Sequence, residues 1–464
     1  MASSLIYSLI SLLLVASSSA TITIPLTPNS HHYNLSNSDP WQLLNHLASY
    51  SLARAHHLKH PHNPKSNSSS SLIKIPQFPR SYGGYSISLS FGTPPQTIPF
   101  VMDTGSSLVW FPCTSRYLCS RCNFPNIQEN KILKFMPKLS SSSKLVGCKN
   151  SKCAWLFGEN VQSRCQDCDP SSPNCTQTCS PYVIQYGLGS TAGLLLSETL
   201  DFPEKTVPDF LVGCSIFSIR QPEGIAGFGR SKESLPSQLG LNKFSYCLVS
   251  HRFDDAPISS DLVLESGSGS GDAKTRGLSY TPFQKNPLVS NAAFQEFYYL
   301  MLRKIIVGDK HVKIPYNFLV PGSDGNGGTI VDSGSTFTFM ERPVYEDVAQ
   351  EFEKQMANYT RSIEVEKLTG LRPCFNISSG KSVYVPKLVF QFKGGAKMEM
   401  PLANYFSLLD LDVACLTIVS GDSVVGAAVQ SGPAIILGNY QQQNFYIEYD
   451  LKNERFGFQK QICK

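Results

Sequence analysis

Two short segments of the sequence carry an acidic side chain in the same setting: VMDTGSS at 101–107 and IVDSGST at 330–336. Each reads apolar, apolar, Asp, Thr or Ser, Gly, Ser. Two carboxylates brought within a few ångströms of each other cannot both ionise easily. They share a proton, so one serves as base while the other serves as acid at the same pH. Such a pair can drive hydrolysis by an activated water without a metal or a covalent nucleophile. Gly105 and Gly334 allow the tight turns that would bring two backbones to a common axis. Thr104 and Ser333 can hydrogen-bond across that axis. Ser106 and Ser335 lie within reach of the carboxylate edges, where a hydroxyl stabilises the ionised form.

Other hydrolytic constellations are missing. A Ser-His-Asp hydrolase needs a histidine, and beyond residue 80 only His251 and His311 remain. No GxSxG or HExxH motif occurs either.

The elements that must carry the two acidic loops read as β-strands. YSISLSFG (85–92) alternates strictly, TPPQ turns, and IPFVMDTG resumes as a strand that ends at Asp103. Short strands and Gly/Pro turns continue almost to the C-terminus. ERPVYEDVAQEFEKQM (341–356) is the best helical segment of this part, and SLPSQLG near 234 is a shorter one. GIAGFG (224–229) follows the first acidic motif and AIILGN (434–439) follows the second. A duplicated all-β lobe is the economical reading, with its boundary near 285–295.

The N-terminal flank differs. Leu5 to Val15 is apolar and small residues follow to Ala20, the shape of a signal peptide over 1–20. A plastid transit peptide is the alternative, disfavoured by the scarcity of Arg. Residues 39–60 place Trp41, Leu44, Ala48, Leu52 and Ala55 three or four apart. Asp39 suits the cap of that helix and Pro40 its first position. A Ser/Asn-rich stretch follows, so the expectation is a helix on a flexible, cleavable tether rather than part of a core. Seven of the nine histidines fall between 31 and 62, either as a solvated polar tract or as a pH trigger.

A chain of 464 residues, 41% apolar and 16% charged, is globular and long enough for two domains. A net charge of +5 without a dense Lys/Arg run excludes nucleic acid as a partner. No later apolar run reaches membrane-spanning length, so no membrane anchor is expected. Fourteen cysteines, nine of them between Cys113 and Cys179, read as disulfides in an exported protein. CSRC (119–122) and CQDC (165–168) could be zinc pairs, but odd spacings and the lack of nearby His favour disulfides. No metal or cofactor is expected. Sequons at Asn34, Asn67, Asn174, Asn358 and Asn376 are glycosylation candidates.

With both acidic motifs and the Cys-rich insert after DTGSSLVWFPC in view, the chain resembles the pepsin-type aspartic proteases, most of all their plant nepenthesin-like branch. The resemblance covers roughly 80–464. It implies an all-β, two-lobed pepsin-like double β-barrel with the active-site cleft between the lobes. It also implies a prosegment at 21–80, an N-terminal lobe at 81–288 with the insert at 113–179, and a C-terminal lobe at 289–464. Asp103 and Asp332 would be the catalytic pair; proton sharing in such pairs is the standard case of the effect described above. IQYGLGSTAGLL (184–195) is similar to the family's flap, with Tyr186 as its ring-bearing residue and Gly187 and Gly189 at a mobile tip. Trp110 would hydrogen-bond that tyrosine. Implied disulfides are Cys374–Cys415, Cys247–Cys463 and Cys122–Cys214. The implied activity is a secreted, apoplastic or cell-wall endopeptidase, acting as a monomer on protein or peptide substrates at acidic pH. An inactive binding protein or glycosidase inhibitor on the same fold is the rival reading.

Overall fold

The computed structural model describes residues 20–28, 40–59 and 84–464, less 123–131, 159, 162–164, 166–176, 188, 204, 222, 251–258, 267–273, 289–291, 378–382, 410–411 and 422–431. The signal-peptide segment at 1–19, the sequons at Asn34, Asn67 and Asn174, and His251 lie outside those residues. Strand β1 spans Ala20–Pro28, helix α1 Pro40–Lys59, β2 Tyr85–Phe91, β3 Gln96–Asp103 and β4 Trp110–Pro112.

Alternation in the sequence becomes alternation in space. In β2, Tyr85, Ile87, Leu89 and Phe91 are buried while Ser88 faces solvent. β2 pairs antiparallel with β3, Ile87 opposite Phe100, and the apolar face enters a ring cluster. Phe91 sits 5.8 Å from Phe100, 5.3 Å from Phe111 and 5.7 Å from Phe210 between ring centroids. Large edge-to-face aromatics of this kind bury apolar area and fix its geometry. The helix Arg342–Gln355 does the equivalent in the second half, burying Val344, Tyr345, Val348, Ala349 and Phe352 along one stripe.

The two acidic loops are built alike. β3 runs parallel to Gly224–Gly227, with Gly227 opposite Asp103. Thr329–Val331 runs parallel to Ile435–Leu437, with Val331 opposite Leu437. Each acidic residue thus leaves the end of a strand whose parallel partner is the apolar-Gly segment of the same half.

An antiparallel platform joins the halves. In spatial order it comprises β1, Ser260–Ser266, Leu241–Cys247, Phe445–Asp450, Arg455–Lys460 and Ser279–Gln284. Three strands of the first half are followed by two of the second and then by Ser279–Gln284 of the first, and the platform forms an all-β body with two smaller four-stranded sheets in the C-terminal half. β1 occupies the platform's edge, where Ile22 pairs with Leu264, and its end also pairs with β2. No strand was expected at 20–28, although Thr21, Ile22, Thr23 and Ile24 alternate as a strand does; an edge of unpaired amide and carbonyl groups recruits it through backbone bonds.

Two expectations change. Helix α1 is not a tethered surface element. Leu44, Leu47, Ala48, Ala55 and Leu58 enter a buried cluster with Phe294, Phe297, Phe337, Phe339, Ile436 and Tyr440. The stripe read from the sequence is right at Leu44, Ala48 and Ala55, but Trp41 and Leu52 are only half-buried. The second change is at Cys214, which bonds Cys113 rather than Cys122. β4 runs parallel to Lys205–Ile219 with Phe111 opposite Cys214, so Cys113, two residues on and on the same face, stands beside it at a Cα separation of 5.0 Å. Cys122 closes on Cys119 instead, so the two sulfurs of CSRC bind each other. Cys148–Cys165 and Cys153–Cys179 staple the insert locally. The structure pairs Cys374 with Cys415 and Cys247 with Cys463. Asn358 and Asn376 are exposed.

Candidate active site

The two loops meet as the spacing of small residues allows. The Thr104 amide donates to the Ser333 hydroxyl at 3.1 Å, and the Ser333 amide donates to the Thr104 hydroxyl at 2.9 Å. The Ser333 hydroxyl in turn donates to the Met102 carbonyl at 3.0 Å. This reciprocal lattice fixes the separation of the loops.

Each carboxylate has the same two supports. Gly105 N–H donates to Asp103 Oδ1 at 2.9 Å and the Ser106 hydroxyl to Oδ2 at 2.6 Å. Gly334 N–H donates to Asp332 Oδ1 at 2.9 Å and the Ser335 hydroxyl to Oδ2 at 2.6 Å. Glycine is required for space here. A Cβ on Gly334 would stand 2.4 Å from Asp103 Oδ1, and one on Gly105 would stand 2.7 Å from Asp332 Oδ1.

A third side chain completes the site. Arg54 of α1 reaches between the carboxylates, with Nη2 at 2.7 Å from Asp103 Oδ1 and Nε at 3.2 Å from Asp332 Oδ2. The guanidinium is 2% exposed, so these are charge-assisted bonds in a dry setting. Burial pushes the Asp103 carboxyl up to about 6; the Arg54 charge opposes that and the Asp332 charge adds to it. Burial acts on Asp332 in the same sense, but Arg54, Ser335 and Gly334 outweigh it and hold the group below the usual carboxylate range. Two like environments are therefore pushed apart in proton affinity.

Helix α1 is pinned at three points along its length. The Ser51 hydroxyl accepts from the Phe337 amide at 2.6 Å, next to the second acidic loop. Asn45 donates to the Leu368 carbonyl at 2.9 Å. At the end, buried Lys59 forms an ion pair with Glu341.

The hairpin of Tyr182–Gln185 with Ser190–Phe202 turns at 186–189, closed by a 2.7 Å bond from the Tyr186 amide to the Gly189 carbonyl. Trp110 Nε1–H donates to the Tyr186 hydroxyl at 2.7 Å. Gly187 lies on the helix itself: a Cβ there would meet the Arg54 backbone nitrogen at 2.5 Å. The turn therefore closes directly over α1.

Sequence reasoning missed Arg54 and Lys59. The available signal was a cation on an otherwise apolar face, since Leu47, Ser51, Arg54 and Leu58 share one stripe. Histidines drew the attention instead, yet His56 is exposed and the cations that enter the protein are Arg54 and Lys59. The side chains of His46 and His57, and all of His31, His32, His60 and His62, lie outside the described residues.

Paired acidic loops at an interface of two β halves, beneath a hairpin, define the pepsin-like fold. Solved structures of the same architecture include edgp, with a TM-score of 0.61 at 21% identity over 82% of this chain and 92% of that one. Another is soybean basic 7S globulin, with a TM-score of 0.58 at 17% identity over 95% of each chain. The families described as xylanase inhibitor N-terminal and xylanase inhibitor C-terminal match residues 85–262 and 297–460. A probable aspartyl protease of Arabidopsis thaliana is 33% identical over 424 residues, 82% of each chain. Nepenthesin-1 of Nepenthes gracilis, an aspartic proteinase, is 33% identical over 389 residues, 82% of this chain and 78% of its own. The chain belongs to the plant pepsin-like aspartic protease family, in its nepenthesin branch.

Proposed function

We propose that the chain is the precursor of a secreted aspartic endopeptidase, with Asp103 and Asp332 as its catalytic pair and α1 as part of an inhibitory prosegment. The observation that carries this reading is the matched support of the two carboxylates around a guanidinium. In that arrangement Arg54 supplies the positive charge that lets both carboxylates stay ionised side by side. Once α1 leaves, the pair is stable only with one proton between its members. The ionised carboxylate then takes a proton from a water between them, and the protonated one hydrogen-bonds the substrate carbonyl oxygen as the water oxygen attacks its carbon. Tyr186 and Gly187 form the flap, held by Trp110. The surface that α1 covers, with Phe337, Phe339 and Tyr440 among its residues, would receive apolar substrate side chains in an extended peptide. The apolar leader, the cysteine usage and the exposed sequons support export.

The rival reading, an inactive binding protein or glycosidase inhibitor on the same fold, draws on the description of the matching families. Both Asp loops, their serines and the flap tyrosine are present here, which favours the enzyme. The test is peptide hydrolysis by the processed protein at acidic pH, with a pepstatin-type inhibitor and with Asp103→Asn and Asp332→Asn. Inhibitor-sensitive cleavage lost in both variants, with unchanged circular dichroism, is the expected result. Turnover retained in either variant would refute the assignment of the pair.

A further inference from the structure

Lys59 ends α1 in a receptor of its own. Its Nζ forms the ion pair with Glu341, donates to the Pro433 carbonyl at 3.0 Å, and stands 5.5 Å from the centroid of the Phe339 ring. Carboxylate, carbonyl and aromatic face are the three groups that recognise a primary ammonium. Lys59 and Glu341 are 8% and 7% exposed, so the ammonium is enclosed rather than resting on a surface.

Glu341 is held for this task by its position. It caps the helix Arg342–Gln355 without its side chain making a capping bond, which leaves the carboxylate turned to Lys59. On its other side Glu341 lines a cavity of about 330 Å³ shared with Tyr316, Asn317, Val320, Asp324 and Asn326. Asp324 adds a second carboxylate to that wall. Its acidity is strengthened, first by the Asn326 backbone and then by the Asn326 side chain.

Removal of α1 takes away the ammonium that pairs with Glu341 and leaves its carboxylate without that cation. Lys59 lies five residues beyond Arg54, a rise of about 7.5 Å along the helix. That is the reach of two to three residues of an extended chain.

We propose that Glu341, Pro433 and Phe339 form a subsite of the processed protein that selects a lysine side chain two to four residues from the cleaved bond, and that Lys59 occupies it in the precursor as a mimic of substrate. The proposal rests on the endopeptidase reading.

The experiment walks Lys, norleucine and Glu through the positions flanking the cleaved bond of a quenched fluorogenic peptide, using processed wild-type protein and Glu341→Gln. Lys should exceed norleucine in kcat/KM by on the order of tenfold at one such position, and the ratio should fall to about one in Glu341→Gln. Active enzyme without that preference, or an unchanged ratio in Glu341→Gln, overturns the subsite. A synthetic peptide of residues 40–59 and its Lys59→Met form provide a readout that needs no turnover. The wild-type peptide should bind processed protein on the order of tenfold more tightly, and Glu341→Gln should remove the difference. Equal binding of the two peptides to wild-type protein overturns the subsite, whereas a protein that discriminates them yet cleaves no peptide overturns the endopeptidase reading instead.

Discussion

Arg54, Gly105 and Gly334 illustrate how little freedom remains at the level of single residues. The two carboxylates approach so closely that each loop's glycine is backed by the opposing acid. Gly334→Ala must therefore displace Asp103, which Gly105, Ser106 and Arg54 hold. Since a misplacement of about 1 Å at a reacting group costs roughly a hundredfold in rate, Gly334→Ala is expected to lose about that factor in kcat while remaining folded. Peptide turnover alongside thermal melting checks this. Near-wild-type turnover would mean that the loops can separate without cost. Ser333, standing where the first loop has Thr104, carries no comparable penalty, because its hydroxyl makes both cross-axis bonds.

At the scale of elements, α1 is a plug whose grip depends on pH. Its contact with the carboxylates requires them to be ionised. Arg54 lowers the proton affinity of Asp332 in the plugged state, so this part of the grip is present above the unplugged value and lost as pH falls through the plugged one. Arg54 also opposes the burial that pushes Asp103 up to about 6, so its departure raises that carboxyl further and this part of the grip is lost as pH falls through about 6. The Asp332 part continues the loss to below the ordinary carboxylate range near 4. Maturation of the purified precursor, followed by gel at fixed pH between 7 and 3, should accelerate across that window. Arg54→Gln removes the charge that both acids contact, so its maturation should be faster at pH 7 and nearly flat with pH. A wild-type rate that does not change between pH 7 and 4 would count against carboxylate control. Of the histidines expected to act as a trigger, His56 has an exposed side chain.

For the whole molecule, cross-links and the shared platform hold distant parts of the chain together. Cys247–Cys463 joins residues 216 apart in sequence, beside the pairing of Leu241–Cys247 with Phe445–Asp450. Replacing both cysteines with serine should lower stability by about 2–4 kcal/mol, read from chemical denaturation of the processed protein. No change would mean that the platform strands alone hold the C-terminus. Non-reducing peptide mapping should also recover Cys113 linked to Cys214 and Cys119 linked to Cys122; recovery of a Cys122–Cys214 peptide would refute both pairings.

The acidic loops, the alternation of β2, the helix at 342–355 and the repeat of Asp loop and apolar-Gly segment were legible because each is a local pattern. Residue type and spacing decide whether a turn is tight, a strand is half-buried or a carboxylate sits at its end. The hairpin tyrosine and Trp110 were legible through resemblance, and the structure joins them. What the sequence could not decide were choices between equivalent local options. Fourteen cysteines permit many pairings, and the partner of Cys214 followed from β4 lying alongside it. An apolar stripe says that α1 must be covered, but not by what; the cover proved to be the apolar wall beside the acidic pair. Arg54 and Lys59 look like ordinary solvated cations in the sequence. Only the tertiary structure set carboxylates opposite them, because long-range electrostatic complementarity depends on where the chain brings distant charges together, and no local pattern encodes that.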